Sequence, residues 1–430
     1  MRKQLFFIVS GVVHNSMEEK MKDIKVSVIM PVYNAAEYLS RTLDDVTNQT
    51  LRDIQIICVD DGSKDNSREI VKEYQKKDER IQLVEQENKN AGAARNHGMQ
   101  YAKGKYVVFW DSDDLFLENA LETMYLQAEK TQADICICAA RRYDNQTGKY
   151  FSSDAYLRLD YLPEKEVFQK TDIPDHIFNL ATNVPWNKMF LRSFIIENHL
   201  EFQEIRQAND TFFTLSAFYF AKRISYVTDV LISYRVNNEQ SLSGKASDTV
   251  FCAYDSYCKT KELLEKQPDY ELVRRSFLNR AISGFYHALN IQTNFASYQM
   301  LYEKLVKEGF EEFGLTKCTE DFFFDSWMYT DMHNMLEWAP GDFLIQKSMV
   351  RRLNVEKANA QKKELNAKLA AKTEKIESKD RRIEKLNARI QELKDKNYEI
   401  MNTKRYKVAS FFAKPFEWFR KRKAEPEEKE

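Results

Sequence analysis

A chain of 430 residues with 43% hydrophobic side chains is long enough for two or three domains with cores of their own. Its 65 Lys and Arg against 66 Asp and Glu leave a formal net charge of −1, which gives no case for nucleic acid as substrate or partner. Six cysteines without metal-ligand spacing read as reduced thiols, six unclustered histidines support neither a zinc site nor a Ser-His triad, and no P-loop or GxGxxG occurs.

The N-terminus opens with Arg2 and Lys3 before an apolar run from Leu5 to Val13, too short to span a bilayer and followed by no clear cleavage site. Residues 1–23 are therefore expected to be an extension, or the result of a start assigned ahead of Met17 or Met21. From there one pattern repeats: a short β-branched run, a polar turn, a helical stretch. Val26 to Met30, Ile54 to Val59, Ile81 to Val84 and Lys105 to Trp110 predict strands, each apolar on both faces. Glu37 to Asn48, Asn66 to Lys77 and Ala91 to Ala102 predict the helices between them. This alternation implies an α/β fold with a mostly parallel, Rossmann-like nucleotide-binding sheet and helices on both faces. Ligands in such sheets bind outside the carboxyl ends of the strands, where the polar clusters fall: Pro31 to Asn34, Asp60 to Ser63, and Asp111 to Asp114.

The last cluster crowds three carboxylates into four residues. Such a group repels itself unless a cation sits in it, and carboxylate oxygens suit a hard divalent ion, Mg²⁺ or Mn²⁺, that completes its shell with substrate phosphates. A solvated turn with a capping Asp before a helix starting near Leu117 is the plainer reading of an isolated DxD. Context decides for the metal and diphosphate. Val28 to Asn34, Val59 to Ser63, Asn90 to Asn96 and Phe109 to Asp114, in this order within about ninety residues, resemble the family 2 glycosyltransferases. The resemblance covers roughly residues 24–243. It implies a GT-A fold, a nucleotide-diphosphate sugar donor, a divalent metal and transfer with inversion.

Under that resemblance Pro31, Tyr33 and Asn34 line the base and ribose pocket, and Asp60 or Asp61 accepts from N3–H of a uracil, with a tight turn at Gly62 as the alternative for the second cluster. Arg95 reaches a phosphate or sugar hydroxyl, Asp111 and Ser112 touch the donor, and Asp111 with Asp113 holds the metal. The acceptor half matches Pro185-Trp186-Asn187-Lys188, then Asn209-Asp210 before Thr211-Phe212, then Tyr234-Arg235 with Ser241-Leu242-Ser243. Asp210 stands where the family has its catalytic base, while Asp114, Trp186, Lys188 and Arg235 fall to the acceptor or diphosphate side. One departure is Asn209, where the family more often has Glu. An amide brings no negative charge, which keeps open a catalytically inactive scaffold or binding subunit. A nucleotidyltransferase would carry a Gly-rich loop after the first strand, and Pro31 to Ala36 has no glycine.

The remaining chain has no such motifs. Residues 24–115 make the nucleotide-sugar half and 116–243 the acceptor half; 244–345 read as a helical domain, broken at Pro340-Gly341. Residues 350–402 predict a coiled coil, with Val355, Leu369, Ile376, Ile383 and Ile390 at a and Leu365, Leu386, Leu393 and Ile400 at d. Lys362, Lys372, Lys379 and Asn397 interrupt the seam. A homodimer through this helix is expected. In 403–430 aromatic residues crowd a basic segment from Tyr406 to Lys423, a composition suited to peripheral contact with an anionic bilayer at the cytoplasmic face of the membrane. The acceptor expected from this setting is a cell-surface glycan or lipid-linked sugar.

Overall fold

A computed structural model describes residues 23–237, 249–405 and 407–412. The expectations for residues 1–22, for Ser241-Leu242-Ser243 and for most of the aromatic-basic tail fall outside these. The chain divides into one compact unit up to Phe343 and a second from Leu344.

Among the described residues of the first unit nine strands make one sheet: β1 Val26–Val32, β2 Ile54–Asp60, β3 Ile81–Glu85, β4 Tyr106–Phe109, β5 Leu115–Phe116, β6 Ile135–Asp144, β7 Lys149–Ser152, β8 Lys188–Leu191 and β9 Ile224–Val236. Their order is β3-β2-β1-β4-β8-β6-β9-β5, with β7 on β6. The pairings among β1, β2, β3 and β4 are all parallel. Every residue of β1 and β2 is buried, as expected of strands covered on both faces. The acceptor half adds antiparallel pairs (β4·β8, β6·β8, β6·β7, β5·β9) and the parallel pair β6·β9, so the sheet is parallel from β3 to β4 and mixed beyond.

The connections are α1 Ala36–Thr47, α2 Ser67–Gln75, α3 Asn90–Met99, α4 Ala120–Thr131, α5 Arg192–Glu197 and α6 Asn209–Phe220. The chain runs from β1 to β2 and β3 on one side and returns to β4 on the other. That reversal makes a topological switch point between the carboxyl ends of β1 and β4, the place where such sheets bind ligands. Pro31 lies past the last β1·β4 pair, Ile29↔Phe109, so its missing N–H interrupts no ladder there. Leu115–Phe116 pairs with β9 before α4 begins at Ala120, three residues later than the sequence suggests.

Four further stretches, α7 Cys252–Glu265, α8 Tyr270–Asn290, α9 Phe295–Lys304 (continued by a π turn, Leu305–Gly309, into Phe310–Glu312) and α10 Ser326–Glu337, belong to the same unit as the sheet. Their core is aromatic: Tyr254, Phe277, Phe285, Tyr302 and Phe313 are all buried. The long helix α11 covers Pro340–Asn402 and starts ten residues before the expected 350, because proline, which needs no N–H donor in a first turn, begins the helix there. All its residues from Arg351 onward are exposed. Among the described residues no helix is long and apolar enough to cross a membrane.

Candidate functional site

The three polar loops meet because their strands are neighbours. Asn34, in the left-handed region at φ +49°, donates its N–H to Ser63 Oγ (3.1 Å) and accepts from Lys64 N–H on Oδ1 (2.8 Å), which stitches the β1 loop to the β2 loop. Gly62 turns that loop at φ +72°, with Asn88 N 3.1 Å from where a Cβ would stand. Pro31 is buried and Tyr33 is 42% exposed at the rim. Asp60 and Asp61, both buried, have partners within the chain. Arg68 donates from Nε and Nη2 to Asp60 Oδ2 (3.0 and 2.7 Å), while Asp61 accepts from Gln86 Nε2 (2.7 Å) and from the N–H groups of Lys89 and Asn90 (2.8 and 2.9 Å).

Past β4, Asp111 Oδ1 accepts from Arg95 Nη2 at 2.6 Å, and the Asp111 side chain remains 27% exposed. Ser112 is buried beside it. Arg235 braces the next two residues: its Nε donates to the Asp113 carbonyl (2.6 Å) and its backbone N–H to Asp114 Oδ1 (2.9 Å). Its guanidinium also reaches Asn145 Oδ1 (2.7 Å) and lies 4.5 Å from the Tyr38 ring centroid. Asp114 is fully buried, and its Oδ2 has no hydrogen-bond partner among the described residues. Burial, then the charges of Asp113 and Asp111, push its carboxyl well above the usual range. An orphaned carboxylate oxygen beside two more acids is a donor set that suits a hard cation. No group of three or more His, Cys, Asp or Glu closes into a metal cage among the described residues. A cation here would complete its shell from diphosphate oxygens and water, as Mg²⁺ commonly does.

The acceptor half reaches this cluster through Arg95. This side chain is 5% exposed, donates to Asp111 with one arm and to Asn209 Oδ1 with the other (2.8 Å), and rests 5.3 Å from the Phe202 centroid. Helix α3 is pressed against segment 202–209. A Cβ on Gly92 would lie 2.1 Å from Gln203 O, and Asn96 both donates to Phe202 O (2.9 Å) and accepts from Phe202 N–H (2.8 Å). Ala208 takes the left-handed conformation at φ +54°, costly for a residue with a Cβ, and Ser256 Oγ donates to its carbonyl (3.1 Å). Asp210 follows in the first turn of α6. Burial raises its pKa, Arg95 lowers it, and Asp111 raises it again. A carboxylate raised toward neutrality by a dry setting takes a proton from a hydroxyl more readily.

Lys188 is fully buried, and its ammonium donates to Thr182 O (3.0 Å), Val184 O (2.7 Å) and Asn187 Oδ1 (2.8 Å). Burial and the Arg280 charge push its pKa down to about 7, yet three acceptors require three N–H donors, and only the ammonium has them. Trp186, 2% exposed, stacks on Tyr234 at 5.6 Å and packs on Tyr156 at 5.0 Å. The structure thus gathers Arg95, Asp111, Asp114, Asp210 and Arg235 into one region and sinks Trp186 and Lys188 beneath it. Sequence reasoning missed Arg68, which carries no signal at eight residues from Asp60. It also missed Gly92 and Asn96 as the contacts to segment 202–209, although both lie within the Asn90 to Asn96 motif.

The model of glycosyl transferase family 2 matches residues 27–198. The Bacillus subtilis chain named as glycosyltransferase EpsH is 35% identical over 220 residues, 50% of this chain and 62% of its own length, so this chain spans less than two thirds of that relative. Poly(ribitol-phosphate) beta-N-acetylglucosaminyltransferase TarP of Staphylococcus aureus is 30% identical over 298 residues, 66% of this chain and 85% of that protein. The crystal structure of S. aureus TarS 1-349 in complex with UDP-GlcNAc aligns with a TM-score of 0.58 at 18% identity, over 76% of this chain and 92% of that one, a likeness of fold. With the motifs, the sheet's switch point and these matches together, the chain belongs to glycosyl transferase family 2 and has the GT-A fold.

Proposed function

We propose that this chain transfers a sugar, with inversion, from a nucleotide-diphosphate sugar of the UDP type to a hydroxyl of a cell-surface glycan or lipid-linked acceptor. The observation that carries this reading is the Arg95 bridge, which ties Asp111, at the β1·β4 switch point, to Asn209, next to Asp210, through 2.6 and 2.8 Å contacts. Tyr33 and Asn34 offer the rim of the base and ribose pocket, with Pro31, Asp60 and Asp61 beneath. Asp111 and Asp113 would hold a divalent cation, which when bound neutralises charge on the leaving diphosphate. Asp210 takes the proton of the attacking hydroxyl, and Arg95, through Asn209, holds the turn that presents it. Intact Asp111, Asp113 and Asp210 speak against an inactive scaffold. Screening nucleotide sugars for turnover with Mn²⁺, Mg²⁺ or EDTA tests enzyme status, donor and metal together; no turnover with any donor overturns the reading.

The same proposal extends to assembly. Leu365, Leu369, Ile376, Ile383, Leu386, Ile390, Leu393 and Ile400 line α11 at 50–68% exposure. A second copy of the chain is the occupant that the flanking charges fit. The g row, Lys368, Lys375, Arg382, Arg389 and Lys396, is basic, whereas the e row, Asn366, Thr373, Asp380, Asn387 and Lys394, is mostly neutral. An antiparallel pair would set the two basic rows against each other; a parallel pair sets g against e and stacks Asn397 on its counterpart. The tail beyond it is proposed to hold the dimer at the cytoplasmic membrane face.

A further inference from the structure

Helices α7 and α8 lie beyond residues 27–198, the part that the family model matches, yet both reach back to the turn that carries Asp210. Among the described residues no side chain hydrogen-bonds the Asp210 carboxylate, so its place is set by its neighbours in the chain. Before it, Arg95 holds Asn209, and Ser256 of α7 donates to the Ala208 carbonyl (3.1 Å). After it comes Thr211, 4% exposed, whose Oγ1 accepts from Asn183 Nδ2 (3.2 Å). Asn183 is half-buried and held by four elements. Its Oδ1 accepts from Arg280 Nε of α8 (2.8 Å), its Nδ2 also donates to the Tyr257 hydroxyl of α7 (3.2 Å), and its carbonyl accepts from Thr214 Oγ1 of α6 (2.6 Å). The Lys188 ammonium, at the start of β8, binds the carbonyls on either side of it, Thr182 O and Val184 O (3.0 and 2.7 Å).

These contacts have a direction. A guanidinium only donates, so the Asn183 atom that faces Arg280 is the oxygen, and the amide nitrogen is thereby turned to Thr211 and Tyr257. Tyr257 is itself pinned: Gly284, one turn along α8 from Arg280, leaves its ring 2.2 Å from where a Cβ would stand. Thr211 and Thr214, three apart on α6, offer their hydroxyls on one helix face to the amide and the carbonyl of the same residue. A polar network whose members are partnered rigidifies what it joins, and this one joins α7 and α8 to the first turn of α6. We propose that Asn183 is a positioning residue for Asp210, oriented by Arg280 and Tyr257, so that α7 and α8 serve the transfer by fixing that turn on the Thr211 side as Arg95 fixes it on the Asn209 side. This rests on the reading of Asp210 as the base.

The full-length wild type, Arg280→Ala, Thr211→Val, which keeps the side-chain shape and removes the acceptor, and the double variant would be assayed for UDP release from a panel of UDP-sugars with water as acceptor, and for UDP affinity by calorimetry. Each single variant is expected to lower kcat roughly tenfold, since an ångström of misplacement can cost about a hundredfold, with UDP affinity within about twofold of wild type. Because Arg280 acts through Asn183 on Thr211, the double variant is expected to lose roughly tenfold as well, and not the roughly hundredfold of independent effects. Arg280→Lys, which keeps a donor and guards against a folding defect, is expected to retain more of kcat than Arg280→Ala. Amide hydrogen exchange reads the link without turnover: peptides covering residues 209–216 are expected to exchange faster in both single variants, and those covering β1 and β2 as in the wild type. The inference is overturned if both single variants keep the wild-type kcat, if the double variant loses the product of the two, or if UDP affinity falls as far as kcat. A wild type inert on every nucleotide sugar sinks the glycosyltransferase reading instead, and the link falls separately if exchange at 209–216 is unchanged.

Discussion

Replacing Arg95 by methionine keeps a stem against Phe202 and removes the charge. The variant loses the 2.6 Å pair with Asp111 and the 2.8 Å bond to Asn209, in a place where the Arg95 side chain is 7% exposed and that of Asp111 27%. Stranding one partner of a buried pair costs about 3–5 kcal/mol. Water reaching the quarter-exposed Asp111 lowers that figure and the lost amide bond adds to it, which leaves roughly 2–4 kcal/mol. With a urea slope of about 3 kcal/mol per M, the unfolding midpoint falls by about 1 M. Tryptophan fluorescence reads this well, since Trp110, Trp186, Trp327 and Trp338 lie in the unit up to Phe343 and only Trp418 lies beyond it. Catalysis moves as well. Arg95 is the stronger of two charges, with Lys188, that lower the Asp210 pKa against burial, so without it that pKa rises further. A base must be deprotonated to act, hence the acidic limb of the kcat/KM profile shifts to higher pH. A midpoint within about 0.2 M of wild type, or an acid limb that stays put or moves down, refutes the bridge.

Asp210→Asn keeps shape and removes proton acceptance, so transfer falls by roughly 10² or more while donor affinity, read by calorimetry, stays nearly unchanged. Asp113→Ala abolishes metal-dependent donor binding with an intact circular dichroism spectrum, and full turnover in EDTA would contradict the metal role. Lys188→Met strands three acceptors that receive the ammonium; at about 1–3 kcal/mol for each unsatisfied group, it lowers stability by at least roughly 3 kcal/mol in the same urea assay. Truncation after Asn354 yields a monomer by sedimentation that still acts on a soluble acceptor and no longer pellets with anionic liposomes, whereas the full chain dimerises and pellets less as salt rises.

The parallel half of the sheet was legible in the sequence because buried parallel strands are apolar on both faces. β1, β2, β3 and β4 appear within two residues of their expected bounds. The acceptor half was less so: β8 is four residues long, β5 two, and their pairing partners lie 51 to 118 residues away in the chain. No local periodicity carries such pairings. The site divides along the same line. Asp60, Asp111 and Asp210 sit at strand and helix ends, where a motif shows them, but what they touch comes from elsewhere: Arg68 on Asp60, Arg95 on Asp111, and Arg280 near Asp210 through Asn183.

Asn209 shows why this matters for function. Read as a letter, an amide in place of a carboxylate looks like a lost charge and hints at a dead enzyme. In the structure it is the acceptor for one arm of Arg95, whose other arm holds Asp111, and that contact needs an oxygen but no charge. A glutamate there would compete with Asp111 for the same guanidinium. Asn209→Glu is therefore expected to keep the fold but draw Arg95 away from Asp111, weakening donor binding while leaving Asp210 in place. Asn209→Leu, which removes the acceptor, is expected to behave as a milder Arg95→Met. If Asn209→Glu instead raised turnover with donor affinity unchanged, the amide would be a defect, and the bridge would contribute nothing that a carboxylate at this position does not supply better.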